Sequence, residues 1–222
     1  MAGTKQAGKE KKQFYSDGKL RELKFINDNG KMEGEYTSFF PNGQIMTQIH
    51  FVDGKKEGPA MSYYENGQVR EKTNFLNDNL EGEYISYHEN GKIKERENYR
   101  NGKLNGPYRF YFKSGQIKEE ENFADGLFEG GYTSYYDTGQ VKEKGSFHKD
   151  KRTGEYIAYF PDGQIREKAV YDNGKLAGEF YINTNIPESE EGEDDYSDGH
   201  WDEKDISGFL SDFKDNDKKK HE

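Results

Sequence analysis

The chain has 222 residues, of which 30% are hydrophobic and 34% charged, a balance that excludes a thick aliphatic core. No run approaches the roughly 20 apolar residues of a membrane-spanning helix, and the lack of Cys excludes disulfides, thiolate metal sites and thiol nucleophiles. The 17 Tyr and 15 Phe supply large apolar area in aromatic form, so the chain can fold around rings.

The first residues, MAGTKQAGKEKK, hold no apolar run after their charges. They read as neither a secretory signal nor a membrane anchor, and residues 1–13 are expected to form a flexible arm on a cytoplasmic protein. An irregular unit follows, with Phe14, Tyr15 and Gly18 before a strand-like Lys19 to Ile26.

From Gly34 the chain repeats every 24 residues without insertion. Six copies span 34–57, 58–81, 82–105, 106–129, 130–153 and 154–177, opening on Gly34, Gly58, Gly82, Gly106, Gly130 and Gly154, and Gly178 begins a truncated seventh. A second Gly lies nine residues after each opener, from Gly43 to Gly163. Atypical units at both ends suit the caps of a repeat array, expected to run over 14–186.

Each copy contains two strand-length segments, such as Glu83 to His88 and Lys92 to Tyr99, separated by Asn90-Gly91. Asn-Gly favours the positive φ angles of a two-residue hairpin turn, so each copy is expected to be one β-hairpin. The predicted fold is all-β: an elongated, twisted antiparallel sheet of 24-residue hairpins, growing by about 10 Å per copy.

With Asn90-Gly91 as the loop, His88 faces Ile93, Ser86 faces Glu95, Tyr84 faces Glu97 and Gly82 faces Tyr99. That register predicts one face lined by rings such as Tyr84, Tyr108, Phe75 and Phe123, with the rings of the partner strand lying across the opening glycines. It places Tyr63, Tyr87, Tyr111, Tyr135 and Tyr159 on the other face, each opposite Arg70, Lys94, Lys118, Lys142 and Arg166 in turn. Rings beside cations make a good contact surface, and these ten residues are the candidate partner-binding site, with solubilising cross-strand pairs as the plainer alternative.

Other constellations point away from catalysis. Glu71, Glu95, Glu119, Glu143 and Glu167 form a column whose members stand about 10 Å apart, too far for a proton-sharing pair between copies, and are expected to be solvated. His50, His88 and His148 occupy three different repeat positions and build no metal cluster. Gly102-Lys103-Leu104 lacks the rest of a phosphate loop, and no nucleophile elbow occurs. No enzyme activity, cofactor or metal is expected.

The pattern Gly-x-Tyr/Phe-x-x-Tyr/Phe-x-x-x-Gly-x-Ile/Val, followed by an aromatic residue and Asn-Gly-Lys-x-x-Gly, resembles the variant MORN repeat. It departs from the shorter standard unit, which commonly carries Trp, since the only Trp here is Trp201. The resemblance implies a hairpin solenoid serving as an interaction module. It brings with it scaffolding, dimerisation and, in some members, membrane association, and bacterial proteins of similar build are grouped with antitoxins.

Beyond Pro187 the period stops. Residues 187–222 hold 14 Asp or Glu against 5 Lys, net −9, while the preceding 186 residues hold 29 acids and 28 bases. The tail reads as disordered, and its sign opposes binding of nucleic acid or anionic lipid there. Within it Ile206, Phe209, Leu210 and Phe213 fall at helical spacing and would form one apolar stripe on a partner. The sequence thus favours a non-catalytic protein-interaction scaffold. The alternatives are an antitoxin that neutralises a partner toxin, and a peripheral phospholipid binder, to which a near-neutral body is less suited; the end hairpins also offer edges for pairing two copies.

Overall fold

The computed structural model describes residues 8–178 and 180–183; the tail stripe of Ile206, Phe209, Leu210 and Phe213 lies outside them. The described chain is one antiparallel meander. It opens with β1 (Lys9–Phe14) and β2 (Leu20–Ile26), followed by the hairpins β3 (Gly34–Phe39) with β4 (Ile45–Val52) and β5 (Lys55–Tyr63) with β6 (Val69–Leu76). After the short β7 (Asn79–Leu80) come β8 (Gly82–Tyr87) with β9 (Ile93–Arg100), and after β10 (Lys103–Leu104) come β11 (Gly106–Tyr111) with β12 (Ile117–Ala124). The last full copies are β13 (Leu127–Tyr135) with β14 (Val141–His148) and β15 (Lys151–Tyr159) with β16 (Ile165–Asp172), followed by β17 (Lys175–Leu176) and β18 (Tyr181–Ile182). Among the described residues β1 pairs with β2 alone and β18 with β16 alone, so the sheet is open. The sheet starts at Lys9, inside the segment expected to be a flexible arm.

Two kinds of turn alternate, and their places are the reverse of the sequence expectation. Within a copy, the His88 N–H donates to the Lys92 carbonyl at 2.8 Å and the Gly91 N–H to the His88 carbonyl at 2.9 Å. Glu89-Asn90-Gly91 is therefore a three-residue loop, with positive φ at Gly91 (80°) and not at Asn90, a type I turn closed by a glycine bulge. The two-residue turn instead follows the hairpin, on the way to the next one. Asn101 and Gly102 both have positive φ, 51° and 76°, and Arg100 faces Lys103 across them.

The predicted pairs Gly82 with Tyr99, Tyr84 with Glu97, and Ser86 with Glu95 are present. Past Ser86 a second bulge, with Lys94 as its extra residue, shifts the register by one, so Tyr87 rather than His88 faces Ile93. The same shift follows Ser38, Ser62, Phe110, Ser134 and Ala158 in the other copies.

A wider irregularity joins successive copies. The pairs Glu120 with Thr133 and Phe123 with Phe128 leave four residues of β13 opposite two of β12. Gly130 lies in this surplus with φ at 97°, and the other five openers also have positive φ. The expected ring across these glycines is absent, since a Cβ built on Gly82 would meet nothing within 4 Å. Backbone conformation alone explains the period's first Gly.

The rings pack against each other instead. Tyr84 and Tyr99 meet edge-on at 6.3 Å, and Tyr36 with Phe51, Tyr108 with Phe123, Tyr132 with Phe147 and Tyr156 with Tyr171 repeat the contact at 6.0–6.3 Å. Such pairs contribute about 0.5–1.5 kcal/mol each beyond area burial. Their face of the sheet is the interior one, where Ile49, Phe75 and Phe160 are at most 2% exposed. No second layer of described residues covers it, so each copy is buried by its neighbours along the sheet.

Gly82→Ala is expected to cost about 1–2 kcal/mol in urea unfolding, purely from the left-handed backbone. Gly131→Ala, in open space without positive φ, should be neutral or stabilise by about 0.4–1 kcal/mol. Equal losses at the two sites would contradict this account of the opening Gly.

Candidate functional site

The bulge behind each three-residue loop separates the residues expected to form one surface. Tyr63, Tyr87, Tyr111, Tyr135 and Tyr159 close the first strands of their copies and face Val69, Ile93, Ile117, Val141 and Ile165, not the adjacent cations. A bulge sets two successive residues opposite one and turns the second out of simple alternation. The basic side chains consequently reach the interior side.

Their contacts show this. Arg70 Nε donates to Ser62 Oγ at 3.2 Å and lies 3.5 Å from Glu71. Lys94 Nζ sits 5.8 Å from the Phe110 ring centre, Lys118 lies 5.4 Å from Phe110 and 5.8 Å from Phe112, and Lys142 lies 5.6 Å from Tyr136. Arg166 holds the equivalent place in the sixth copy. The expected pairing of Tyr63 with Arg70, Tyr87 with Lys94, Tyr111 with Lys118, Tyr135 with Lys142 and Tyr159 with Arg166 is thereby corrected.

The tyrosines remain together on the outer face, half-buried and evenly repeated. Their partners come mainly from the preceding copy. Tyr63 donates to Gln48 Oε1 and Tyr135 to Glu120 Oε2, both at 3.0 Å, while Lys72 and Lys144 lie over Tyr87 and Tyr159 at 5.7 and 5.8 Å. Gln48, Lys72, Glu120 and Lys144 share one repeat position. Tyr111 is instead hydrogen-bonded to Arg109 of its own copy. The outer cations are matched by acids, with Arg96 at 2.7 Å from Glu83 and Arg109 at 2.7 Å from Glu120.

The interior side carries the polar chemistry. The glutamate column is half-buried there rather than solvated, because it shares a face with the rings. Ser62 donates to Glu71 at 3.0 Å, Ser86 and Tyr108 donate to Glu95 at 3.3 and 2.9 Å, and Tyr132 and Tyr156 both donate to Glu143. Burial pushes the Tyr84, Tyr99 and Tyr108 hydroxyls well above the usual phenol range, with the nearby carboxylates adding to it. They are neutral donors at any working pH.

Two interior acids escaped the sequence reading. Glu97 is 2% and Glu121 5% exposed, at a position filled by Ile49, Thr73, Gly145 and Ala169 in other copies. Burial, aided by Glu95, pushes the Glu97 carboxyl up to about 8, and burial likewise raises Glu119. Their signal was present: they lie two residues after Glu95 and Glu119, so they share the aromatic face.

Copies are also joined by side chains at the loops. Tyr15 and Tyr136 donate to the Phe39 and Tyr159 carbonyls at 2.6 and 2.7 Å, Tyr64 donates to that of Tyr87, and His88 Nε2 contacts that of Tyr111 at 3.1 Å. His148 lies 2.9 Å from Glu129, which makes it a partner of an exposed acid. Among the described residues no group of three His, Asp or Glu is arranged to hold a metal.

An open meander of near-identical hairpins, stitched copy to copy and lined by repeated residue columns, defines a hairpin-repeat protein. The family described as MORN repeat variant matches residues 32–53, 56–77, 80–101, 104–125, 128–149 and 152–173, more than half of the chain, and the chain belongs to that family. Each match ends on the first residue of a two-residue turn, so the family unit is one hairpin cut between copies. No curated protein matches the chain. Among solved structures, a TcdB2–TccC3 complex matches at 11% identity and TM-score 0.22, covering 81% of this chain and 13% of that one. A Tc holotoxin pore from Photorhabdus luminescens matches at 13% identity and TM-score 0.21, covering 74% and 10%. The chain thus spans a small fraction of those proteins, and overlaps at this TM-score carry no argument.

A double-mutant cycle tests the sorting of faces. Lys72→Ala with Tyr87→Ala should show about 0.5–1 kcal/mol of coupling in urea unfolding. Lys94→Ala with Tyr87→Ala should be additive, and the opposite result would restore the register read from the Asn-Gly loop.

Proposed function

We propose that the chain is a non-catalytic protein-interaction scaffold whose outer sheet face receives an extended partner. The observation that carries this reading is the row of five half-buried tyrosines, Tyr63 to Tyr159, each at one place in its copy and outside the interior ring packing. Rings held by neighbouring copies supply contact area with little entropy left to lose on binding. Their regular spacing, about 10 Å per copy, suits a long partner better than a small substrate.

Charge favours a protein over a lipid surface. Residues 1–186 hold 29 acids and 28 bases, and outer-face cations such as Arg96, Arg109 and Lys168 stand beside Glu83, Glu120 and Glu155. Little net positive charge remains to hold anionic headgroups. Neutralising a toxin would be one form of such binding, and rescue of a host from the captured partner's toxicity would distinguish it.

The test is affinity purification with quantitative mass spectrometry from source cells. Tyr87→Ala, Tyr111→Ala and Tyr135→Ala combined should lower recovery of a stoichiometric partner at least roughly tenfold, about 1.4 kcal/mol, while the circular dichroism spectrum is kept. Undiminished recovery would refute the outer face as the binding surface, and flotation of the wild type with anionic vesicles would replace this reading with the lipid one.

A further inference from the structure

We propose that the interior of the third copy holds a proton between Glu97 and Glu95, and that its release loosens the middle of the sheet, making hairpins β8–β9 and β11–β12 a pH-set weak point. The geometry begins with crowding. Glu95 and Glu97 on β9 and Glu119 and Glu121 on β12 bring four carboxyl groups to one face of two successive copies, and Glu97 is 2% exposed. Its Oε2 has no hydrogen-bond partner. A lone buried carboxylate oxygen is costly, whereas a protonated carboxyl leaves a neutral group.

The groups around Glu97 assign the proton. From β8 come Tyr84, which faces it across the strands, and Ser86; from its own strand, Glu95 and Tyr99; from β11, Tyr108. Glu71 on β6 and Glu121 on β12 are the next acids out. Cations of the region are engaged elsewhere: Arg70 at Ser62 and Glu71, Lys94 over Phe110, Arg96 with Glu83 on the outer face.

Glu95 accepts a hydroxyl hydrogen bond on each oxygen, from Tyr108 on Oε1 and Ser86 on Oε2. Both of its oxygens are thus already occupied by donors. Glu97, hydrogen-bonded to Glu95 and to Tyr99, is then the acid that keeps the proton and donates it to Glu95. The displacement of its titration, from an ordinary 4.5 to about 8, has the direction that this arrangement requires.

The sign follows from linkage. The folded chain holds a proton that the unfolded chain has released above about 4.5, so stability from this group is full below that pH, declines as pH rises, and is lost beyond about 8. Among the six copies only the third and fourth carry an acid at this place, Glu97 and Glu121, whereas Ile49, Thr73, Gly145 and Ala169 hold it in the others.

Infrared difference spectroscopy of the full chain reads the proton directly. The carbonyl stretch of a protonated carboxylic acid should be present at neutral pH, titrate away with a midpoint near 8, and vanish in Glu97→Gln. Amide exchange, corrected for intrinsic rates, should show β8 to β12 losing protection between pH 6 and 9 relative to β3 to β5, and the variant should abolish that difference. Should Glu97→Gln fail to fold, Glu97→Thr, which copies the residue at position 73, serves in its place. Absence of a protonated carboxyl at neutral pH, its persistence in the folded variant, or an even loss of protection along the sheet would each overturn the proposal.

Discussion

In a pleated strand the face of a side chain is set by parity, and one extra residue reverses it. This array depends on that constraint once in every copy, at the residue after the branched Ile or Val of the second strand. Lys94 is the extra residue between Ile93, which faces Tyr87, and Glu95, which faces Ser86, and so it leaves the side of Tyr87; the wider irregularity at the opening Gly adds two residues and keeps the parity of the facing strands. Positive φ at Gly91 closes the three-residue loop, and positive φ at Gly82 marks the wider irregularity. The 24-residue period thus contains both irregularities, with glycines at the loop and at the opening of each copy.

The interior that results is an unusual solvent for its own side chains. Aliphatic residues are few, so T-shaped ring pairs carry the packing and leave phenol hydroxyls among the strands. Those hydroxyls need acceptors, and the glutamates at 95 and 143 provide them. A buried acid is normally a liability. Here the tyrosines offset part of its desolvation, and each acid in turn satisfies the donors that an aromatic core brings with it.

The hairpin array was legible in the sequence because each repeated Gly marks a backbone position that few other residues tolerate. The ladder from Gly82 to Ser86 was legible for the same reason. Which loop would be the two-residue turn was not, since Asn-Gly is favourable for either type when read alone. Thr138-Gly139 held the missing clue: a β-branched residue is a poor occupant of a left-handed position, which argues for a three-residue loop with positive φ at Gly139 alone, as found. Reading Tyr87 with Lys94 followed from overlooking it. Burial of Glu97 was hidden by the general rule that Glu is solvated, a rule that fails where a strand's interior parity leaves the side chain nowhere else to go.

The two faces therefore have separate chemistries, one of packed rings with acids among them, the other a row of tyrosines supported mainly from the preceding copy. The assignment of residues to those faces is the claim on which the rest stands. Nuclear Overhauser contacts in the folded chain test it most directly. They should join Tyr87 to Ile93 across the strands and the Lys94 methylenes to the Phe110 ring; contacts placing Lys94 directly opposite Tyr87, with His88 opposite Ile93, would contradict the account.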